Sequence, residues 1–175
     1  MDKPFVKNGL FLAILMIIIT LAIYLLSPVS LTSFWYSITG FVLVIVFMVK
    51  AVRDYKIQNQ GFASFGEALV QSFGTAIISG VVSAVFTYIL YNIIDTGLGD
   101  VMKESMVERF ENMEGMVGEE AVEQMIASLD EQDFSMGIGQ ILTGTMMSVV
   151  IYLLIALIVS AITKKNDAGI TSLDS

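Results

Sequence analysis

Residues 64–92 read SFGEALVQSFGTAIISGVVSAVFTYILYN, and this stretch decides the fold. It opens with a helix-start sequence and then carries no charged residue after Glu67. Small residues recur every four positions along it, at Ser72, Ala76, Gly80 and Ala84. This spacing places them on one face of a helix, and small residues let a second helix approach closely within lipid. The stretch therefore predicts a membrane-spanning helix that packs closely against a neighbour.

The composition of the chain also indicates a membrane protein. Its 175 residues are 55% hydrophobic and 15% charged, whereas soluble domains carry about 25% charged residues. The mean hydropathy is +0.78. Cysteine and histidine are absent, which removes disulfides, thiolate nucleophiles, imidazole bases and the usual zinc and haem ligands. We therefore expect no catalytic residue, no cofactor and no metal, and we do not expect an enzyme.

Three further apolar segments have the length of a membrane span. With residues 65–94 they predict four spans, at 9–26, 34–52, 65–94 and 138–162. The first could instead be a cleaved secretory signal, because a basic start precedes an apolar run. That run is longer than usual for a signal and ends in Leu-Leu-Ser-Pro, without a small-x-small cleavage site. We interpret it as an uncleaved first span.

Residues 95–133 form a polar insertion between the third and fourth spans. Apolar residues recur in it every three or four positions, which predicts two amphipathic helices joined at residues 115–118. Their apolar stripes should be covered by each other, by the mouth of the bundle or by a partner. The possible partner surface consists of Met102, Met106, Phe110, Val122, Ile126 and Leu129.

The insertion is strongly acidic, with twelve Asp and Glu residues against Lys103 and Arg109. Methionine sulfur can bind Cu(I), but the same methionines are explained by an apolar helix face. The glutamates could collect Ca²⁺, yet no D-x-D-x-D-G loop is present. We interpret the acids as solvated helix faces. An acidic chain with scattered basic residues also has no surface suited to nucleic acid.

The basic residues predict the orientation in the membrane. Four spans place most of them on one side, namely Lys3, Lys7, Lys50, Arg53, Lys56, Lys164 and Lys165. Lysine and arginine are in excess in cytoplasmic loops. We expect both termini to be cytoplasmic and the insertion to be extracytoplasmic. The predicted fold is an all-α, integral membrane four-helix bundle with an extracytoplasmic amphipathic helical hairpin between the third and fourth spans.

Two local patterns predict how the spans begin and pack. Ser64 and Glu67 fit a capping box, in which each side chain accepts a hydrogen bond from the other residue's backbone N–H. In the fourth span, Gly144 and Ser148 are small residues four positions apart. We expect them to pack against another helix, as the small residues of the third span do.

Several short motifs resemble those of a known family. They are the Gly9 start of the first span, Arg-Asp-Tyr at 53–55, Gly-Phe-Ala-Ser-Phe-Gly-Glu at 61–67 and Gly-Glu-Glu at 118–120. Together they resemble a family of small four-helix bacterial inner-membrane proteins catalogued only as a domain of unknown function. The resemblance extends over nearly the whole chain. It implies the fold and the location but supplies no catalytic residue.

Two function classes agree with these observations. The first is a noncatalytic module that assembles with itself or with another envelope protein, which the small-residue faces and the insertion favour. The second is a small transporter or channel component, suggested by Gln71, Asn92, Gln140 and the hydroxyl residues. Ion coupling usually requires a charged residue within the spans, and these spans carry charges only near their ends. We therefore favour the interaction module.

Overall fold

The computed structural model describes residues 3–132, 134 and 136–165, and this part of the chain is helical. Apart from an isolated two-residue bridge between Ala63 and Lys165, the described residues form no β-structure. The α-helices are α1 (Pro4–Leu26), α2 (Phe34–Gln58), α3 (Phe65–Ile89), α4 (Leu98–Glu111), α5 (Glu114–Val117), α6 (Glu119–Asp130) and α7 (Ile138–Thr163).

Four of these helices are long and apolar enough to cross a bilayer. They are α1, α2, α7 and the helix formed by α3 with the π-helical turn Leu90–Ile94 that follows it. The bounds of two spans differ from the expected ones. Helix α1 begins at Pro4, whose fixed φ angle suits a first helical turn, and α2 continues to Gln58. The extra turns carry charged residues at the ends of the spans.

The turns between the spans are short. Ser27 and Pro28 end α1, and a 3₁₀ turn over Pro28–Thr32 leads into α2. Between α2 and α3 the chain reverses through Gln60 and Gly61, which both have positive φ angles. This left-handed backbone is most easily adopted by glycine, so Gly61 suits the reversal.

The bundle consists of three mutually packed helices, α1, α2 and α3, with α7 packed on α3 and α2. Helices α1 and α3 approach each other closely at Gly9. A methyl group at Gly9 would lie 2.8 Å from Ile78 Cβ and 2.9 Å from the Thr75 carbonyl oxygen. The buried core of the bundle is formed by Leu12, Val44, Met48, Ala76, Ala156 and Val159.

The insertion folds as helices that pack on one another and on the bundle. Helix α4 lies against α6 and against the Pro28–Thr32 turn. Arg109 Nη1 donates to the Thr32 carbonyl at 2.8 Å, and Lys103 pairs with Asp130 at 2.9 Å. The predicted join at residues 115–118 contains the short helix α5 and Gly118, at φ +90°.

A wide helical turn connects α3 to the insertion. The Asp95 N–H donates to the Leu90 carbonyl at 2.9 Å, five residues back, as in a π-helix. The turn brings Asp95 to Tyr24 of α1, whose hydroxyl donates to the carboxylate at 3.0 Å. Leu90 is buried there with Leu98 and Met102. The insertion therefore packs on the end of the bundle through a second apolar cluster.

Candidate functional site

Open space lies beside polar side chains at each end of the bundle. A crevice runs between α3 and α7 in the half of the bundle nearest the insertion. A cleft lies at the opposite end, beside Lys7 and Lys50. We refer to the end that carries Lys7, Lys50 and Lys56 as the basic end, and to the other as the insertion end.

Helices α3 and α7 pack closely near the basic end and leave open space between their side chains toward the insertion end. Ser72 and Ser160 are fully buried between them, with hydroxyl oxygens 3.1 Å apart. Farther along, the α3–α7 crevice has a volume of about 310 Å³. Its lining is mostly small or polar: Gly80, Ser83, Ala84, Thr87, Met136, Gln140, Ile141, Gly144, Thr145, Ser148 and Tyr152.

A second opening of about 290 Å³ lies beside the crevice, again between α3 and α7. It shares Ala84, Ile141 and Thr145 with the crevice, and the rest of its lining is apolar apart from Tyr88. The two helices are therefore accessible on both sides of their line of contact in this half of the bundle.

The predicted packing residues divide between a closed and an open region. Ser72 and Ala76 are fully buried, whereas Ala84 and Ser148 line the crevice. A methyl group built on Gly80 or on Gly144 would lie within 4 Å of no atom of another described helix. Among the described residues, the close contact expected at these two glycines is therefore not made.

The close contacts occur instead on other glycines of α1 and α3. Besides Gly9, Gly74 is tightly covered, since a methyl group there would lie 2.7 Å from Phe5 Cδ2. Four-residue spacing identifies a face of a helix but does not identify the neighbour that covers it. Sequence reasoning therefore found the row of small residues but missed Gly9 and Gly74 as the contact points.

The predicted partner surface of the insertion is partly covered by the chain itself. Met102, Val122 and Leu129 are 4%, 5% and 4% exposed. Met106, Phe110 and Ile126 are half-buried. The three buried residues are covered within the chain, which is one of the three coverings expected for the stripe, and contact with a partner stays a prediction.

A buried amide organises the basic end. Asn8 is 1% exposed, and its Nδ2 donates to Asp54 Oδ2 at 2.9 Å. Lys50 Nζ donates to Asn8 Oδ1 at 2.7 Å and to Asp54 Oδ2 at 3.0 Å. The four-residue spacing of Lys50 and Asp54 is visible in the sequence. No sequence pattern indicates their contact with Asn8, which lies 42 residues before Lys50.

A cleft of about 340 Å³ adjoins this cluster. It lies between the first turns of α1 and the last turns of α2, and we call it the basic-end cleft. Its walls are Pro4, Lys7, Lys50, Asp54, Ile57 and Gln58. Two ammonium groups and one carboxylate thus face the same space, which suits an anionic ligand.

The start of α3 has the geometry of a capping box. Ser64 Oγ accepts from the Glu67 N–H at 3.3 Å, and Glu67 Oε2 accepts from the Ser64 N–H at 2.8 Å. Glu67 Oε1 also accepts from the Tyr55 hydroxyl of α2 at 2.6 Å. One carboxylate therefore caps α3 and holds α2 against it.

Hydrogen bonds between distant segments fasten the basic end. Ala63 and Lys165 exchange two backbone hydrogen bonds, at 2.9 and 2.8 Å. Lys56 Nζ donates to the Thr163 carbonyl at the end of α7, where a cation also complements the helix dipole. Gln71 Oε1 accepts from the Phe5 N–H at 3.1 Å.

The carboxylates that the structure describes near the basic end hold helices together. Within residues 3–132, 134 and 136–165, no three His, Cys, Asp or Glu side chains are placed to hold a metal ion. Asp54 and Glu67, the carboxylates near the basic end, are each engaged in contacts that hold helices together. The small side chains of the crevice suit packing by a helix. The cationic side chains of the cleft at the basic end suit an anion, such as that of a lipid.

A family profile matches residues 7–165, under the description "Protein of unknown function (DUF4199)". This range includes α1 from Lys7 onward, the other three spans and the insertion, and it covers most of the chain. The chain belongs to the DUF4199 family. The resemblance seen in the sequence is thereby confirmed. No curated protein and no solved structure matches the chain significantly. For this DUF4199 member, function must therefore be argued from the geometry.

Proposed function

We propose that this DUF4199 protein is a noncatalytic interaction module of the bacterial inner membrane. Its α3–α7 crevice would receive a helix of another envelope protein or of a second copy. The observation that carries the proposal is the open space at Gly80 and Gly144, where an added methyl group would meet no atom of another described helix within 4 Å. Small residues are the usual contact points between helices in lipid, because they allow backbones to approach closely.

The surroundings of the crevice support a helix as its occupant. Gly80 and Ala84 on one wall oppose Gly144 and Ser148 on the other, and these side chains are small on both walls. Ser148 Oγ donates to the Gly144 carbonyl at 2.9 Å, which satisfies its hydroxyl within α7. An apolar partner helix can therefore cover Ser148 without breaking a hydrogen bond.

We infer that the basic end faces the cytoplasm and that the insertion lies outside. The basic end carries seven Lys and Arg residues, whereas the insertion carries twelve acids against two basic residues. This asymmetry agrees with the excess of positive charge in cytoplasmic loops. An outer partner would meet α4 and α6 as a fixed acidic surface beside the crevice.

The interaction proposal is tested by filling the crevice. Gly80→Leu should leave the isolated chain folded, because the added side chain enters open space, but should displace a partner helix. The chain is cross-linked in native membranes, and its complexes are separated by mass on a native gel. We expect a complex larger than the single chain in the wild type and its loss in Gly80→Leu.

Val70→Leu serves as the matched control, because Val70 lies on the same helix, is 56% exposed and does not line the crevice. The control should retain the larger complex, and both variants should melt near the wild-type temperature. Complexes of equal mass in the wild type, in Gly80→Leu and in the control would contradict the role of the crevice. A wild type found only at single-chain mass would contradict the interaction module itself.

A small transporter or channel component is the second candidate, and the polar lining of the crevice favours it. Ser83, Thr87 and Thr145 supply hydroxyls, and the buried core at Met48 and Ala156 closes the bundle toward the basic end. This arrangement would form a water-filled vestibule open at the insertion end. Among the described residues that line the crevice, none is charged.

Water access to the crevice distinguishes the two functions. Thr145→Cys introduces the only thiol in a chain that lacks cysteine. In native membranes, a vestibule predicts rapid reaction of this thiol with a small water-soluble reagent. A crevice occupied by a helix predicts slow reaction of Thr145→Cys, and adding Gly80→Leu should accelerate it because the partner helix is displaced. Rapid reaction of Thr145→Cys without the second substitution would favour the transporter.

A further inference from the structure

We propose that the basic-end cleft binds the phosphate group of a membrane phospholipid. This site is separate from the α3–α7 crevice and does not depend on the proposed function. It is formed where the start of α1 meets the end of α2, and its charged walls are Lys7, Lys50 and Asp54.

The charges of the cleft favour an anion. Asp54 is the carboxylate in its lining, and its Oδ2 already accepts from both Lys50 Nζ and Asn8 Nδ2. Lys7 forms no ion pair with any residue that the structure describes. The ammonium groups of Lys7 and Lys50 and the carboxylate of Asp54 together give the cleft a net charge of +1, which attracts an anionic ligand.

Lys50 is held in place before a ligand arrives. Asn8 is buried and fixes Lys50 Nζ through a hydrogen bond of 2.7 Å, and Asp54 fixes it through a second of 3.0 Å. An ammonium group has three N–H donors, so one remains for a phosphate oxygen. Because the side chain is already ordered, binding costs little further side-chain entropy.

The start of α1 adds to the positive potential of the cleft. Pro4 is its first residue, and Lys7 lies in its first turns. The first turn of a helix carries a partial positive charge that stabilises a nearby anion. Pro4 and Lys7 both line the cleft, so the helix terminus and the side chain act on the same space.

The depth of the cleft matches a lipid headgroup. About 20 helical residues cross the hydrocarbon core. Helix α2 begins at Phe34, and its twentieth residue lies near Asp54. Helix α1 ends at Leu26, and the residue about 20 positions before it lies near Lys7. Two helices thus independently place the cleft at the boundary between hydrocarbon and headgroups, where lipid phosphates lie.

The apolar part of the lining favours a lipid over free phosphate. Ile57 flanks the charged residues and is 73% exposed, whereas Pro4 is buried. The Ile57 side chain offers contact to the glycerol and the first carbons of an acyl chain. A soluble phosphate ion would leave it uncovered.

The test measures lipid binding to the full chain, purified in detergent, by native mass spectrometry. The probes are phosphatidylglycerol, diacylglycerol with the same acyl chains, and inorganic phosphate. We expect one phosphatidylglycerol to bind about tenfold more tightly than diacylglycerol, because the phosphate adds charge-assisted hydrogen bonds. Equal binding of the two lipids would overturn the proposal. Binding of inorganic phosphate without any preference for the phospholipid would overturn the lipid as its source.

Variants of Lys7 connect the binding to the cleft. Lys7→Gln should weaken phosphatidylglycerol about tenfold, and Lys7→Arg should retain it, because a positive donor is preserved. Arg53→Gln is the matched control, since it removes one charge from the same end outside the lining. An equal loss in Lys7→Gln and Arg53→Gln would show attraction to overall charge and would overturn the site. Melting temperatures check that each variant is folded.

Discussion

At the scale of single residues, the buried amide of Asn8 does most to define the basic end. It joins α1 to both charged partners on α2 and also donates to the Pro4 carbonyl at 2.9 Å. The sequence shows one asparagine before an apolar run, which gives no indication of these partners. Burial and hydrogen-bond partners depend on how helices meet, and local sequence patterns do not encode that.

Replacing this amide should destabilise the bundle. Asn8→Ala leaves Lys50 and Asp54 without their buried partner and opens a small cavity, which should cost about 1–3 kcal/mol. Thermal unfolding in detergent measures the loss. Asn112→Ala is the control, because Asn112 is exposed and bonds only within its own turn. Equal melting temperatures for the two variants would contradict a structural role for Asn8.

Two glycines should respond in opposite ways to the same substitution. Gly9→Ala places a methyl group against the Thr75 carbonyl and Ile78 at under 3 Å, so backbone must move, at about 1–3 kcal/mol. Gly80→Ala enters open space and should keep or raise stability, because alanine favours helix over glycine. Melting of both variants in detergent provides the comparison. A greater loss of thermal stability in Gly80→Ala than in Gly9→Ala would contradict the open space beside Gly80.

At the scale of elements, the spans and the amphipathic helices of the insertion were predictable. Span length and hydrophobicity follow from the bilayer itself, and the apolar stripes follow from helical periodicity. Which stripe residues become buried was not predictable, because Met102 is covered by the bundle mouth while Met106 remains half-buried. The π-helical turn Leu90–Ile94 was also missed, since its sequence continues the apolar pattern of α3.

The insertion should show a gradient of hydrogen exchange. Amides around Met102 and Leu129 belong to helices whose side chains are buried, so they should exchange slowly in native membranes. Residues 112–118 form the exposed tip, where Met116 is 85% exposed, and they should exchange quickly. Exchange is followed by mass spectrometry of peptides. Uniformly fast exchange over residues 98–130 would contradict a folded insertion.

At the scale of the whole molecule, the sequence predicted four spans but not the crevice between two of them. Small residues at Gly80 and Gly144 suggested tight packing within the bundle, yet α3 and α7 leave open space beside both glycines. Where two helices leave open space depends on the contacts that hold them elsewhere. Here Ser72 meets Ser160 near the basic end, and Asn92 Nδ2 donates to the Met136 carbonyl at the insertion end.

The inferred orientation predicts which ends of the molecule a reagent reaches. Single cysteines are introduced at Asn59, between α2 and α3, and at Ser128 in α6 of the insertion. Both positions are exposed, and the chain has no other cysteine. An impermeant thiol reagent added to intact spheroplasts should label Ser128→Cys and spare Asn59→Cys. The reverse pattern would show that the basic end faces outward.

Helix α7 is joined to the rest of the chain near both of its ends. Ala63 pairs with Lys165 and Ser72 meets Ser160 near one end, and Asn92 Nδ2 donates to the Met136 carbonyl at 3.1 Å just before the other. Ser160 and Ile138 lie about 33 Å apart along the helix. Asn92 precedes the insertion and Met136 follows it, so whatever forces α3 and α7 apart between these contacts would bend α7 or break the bond that closes the base of the insertion.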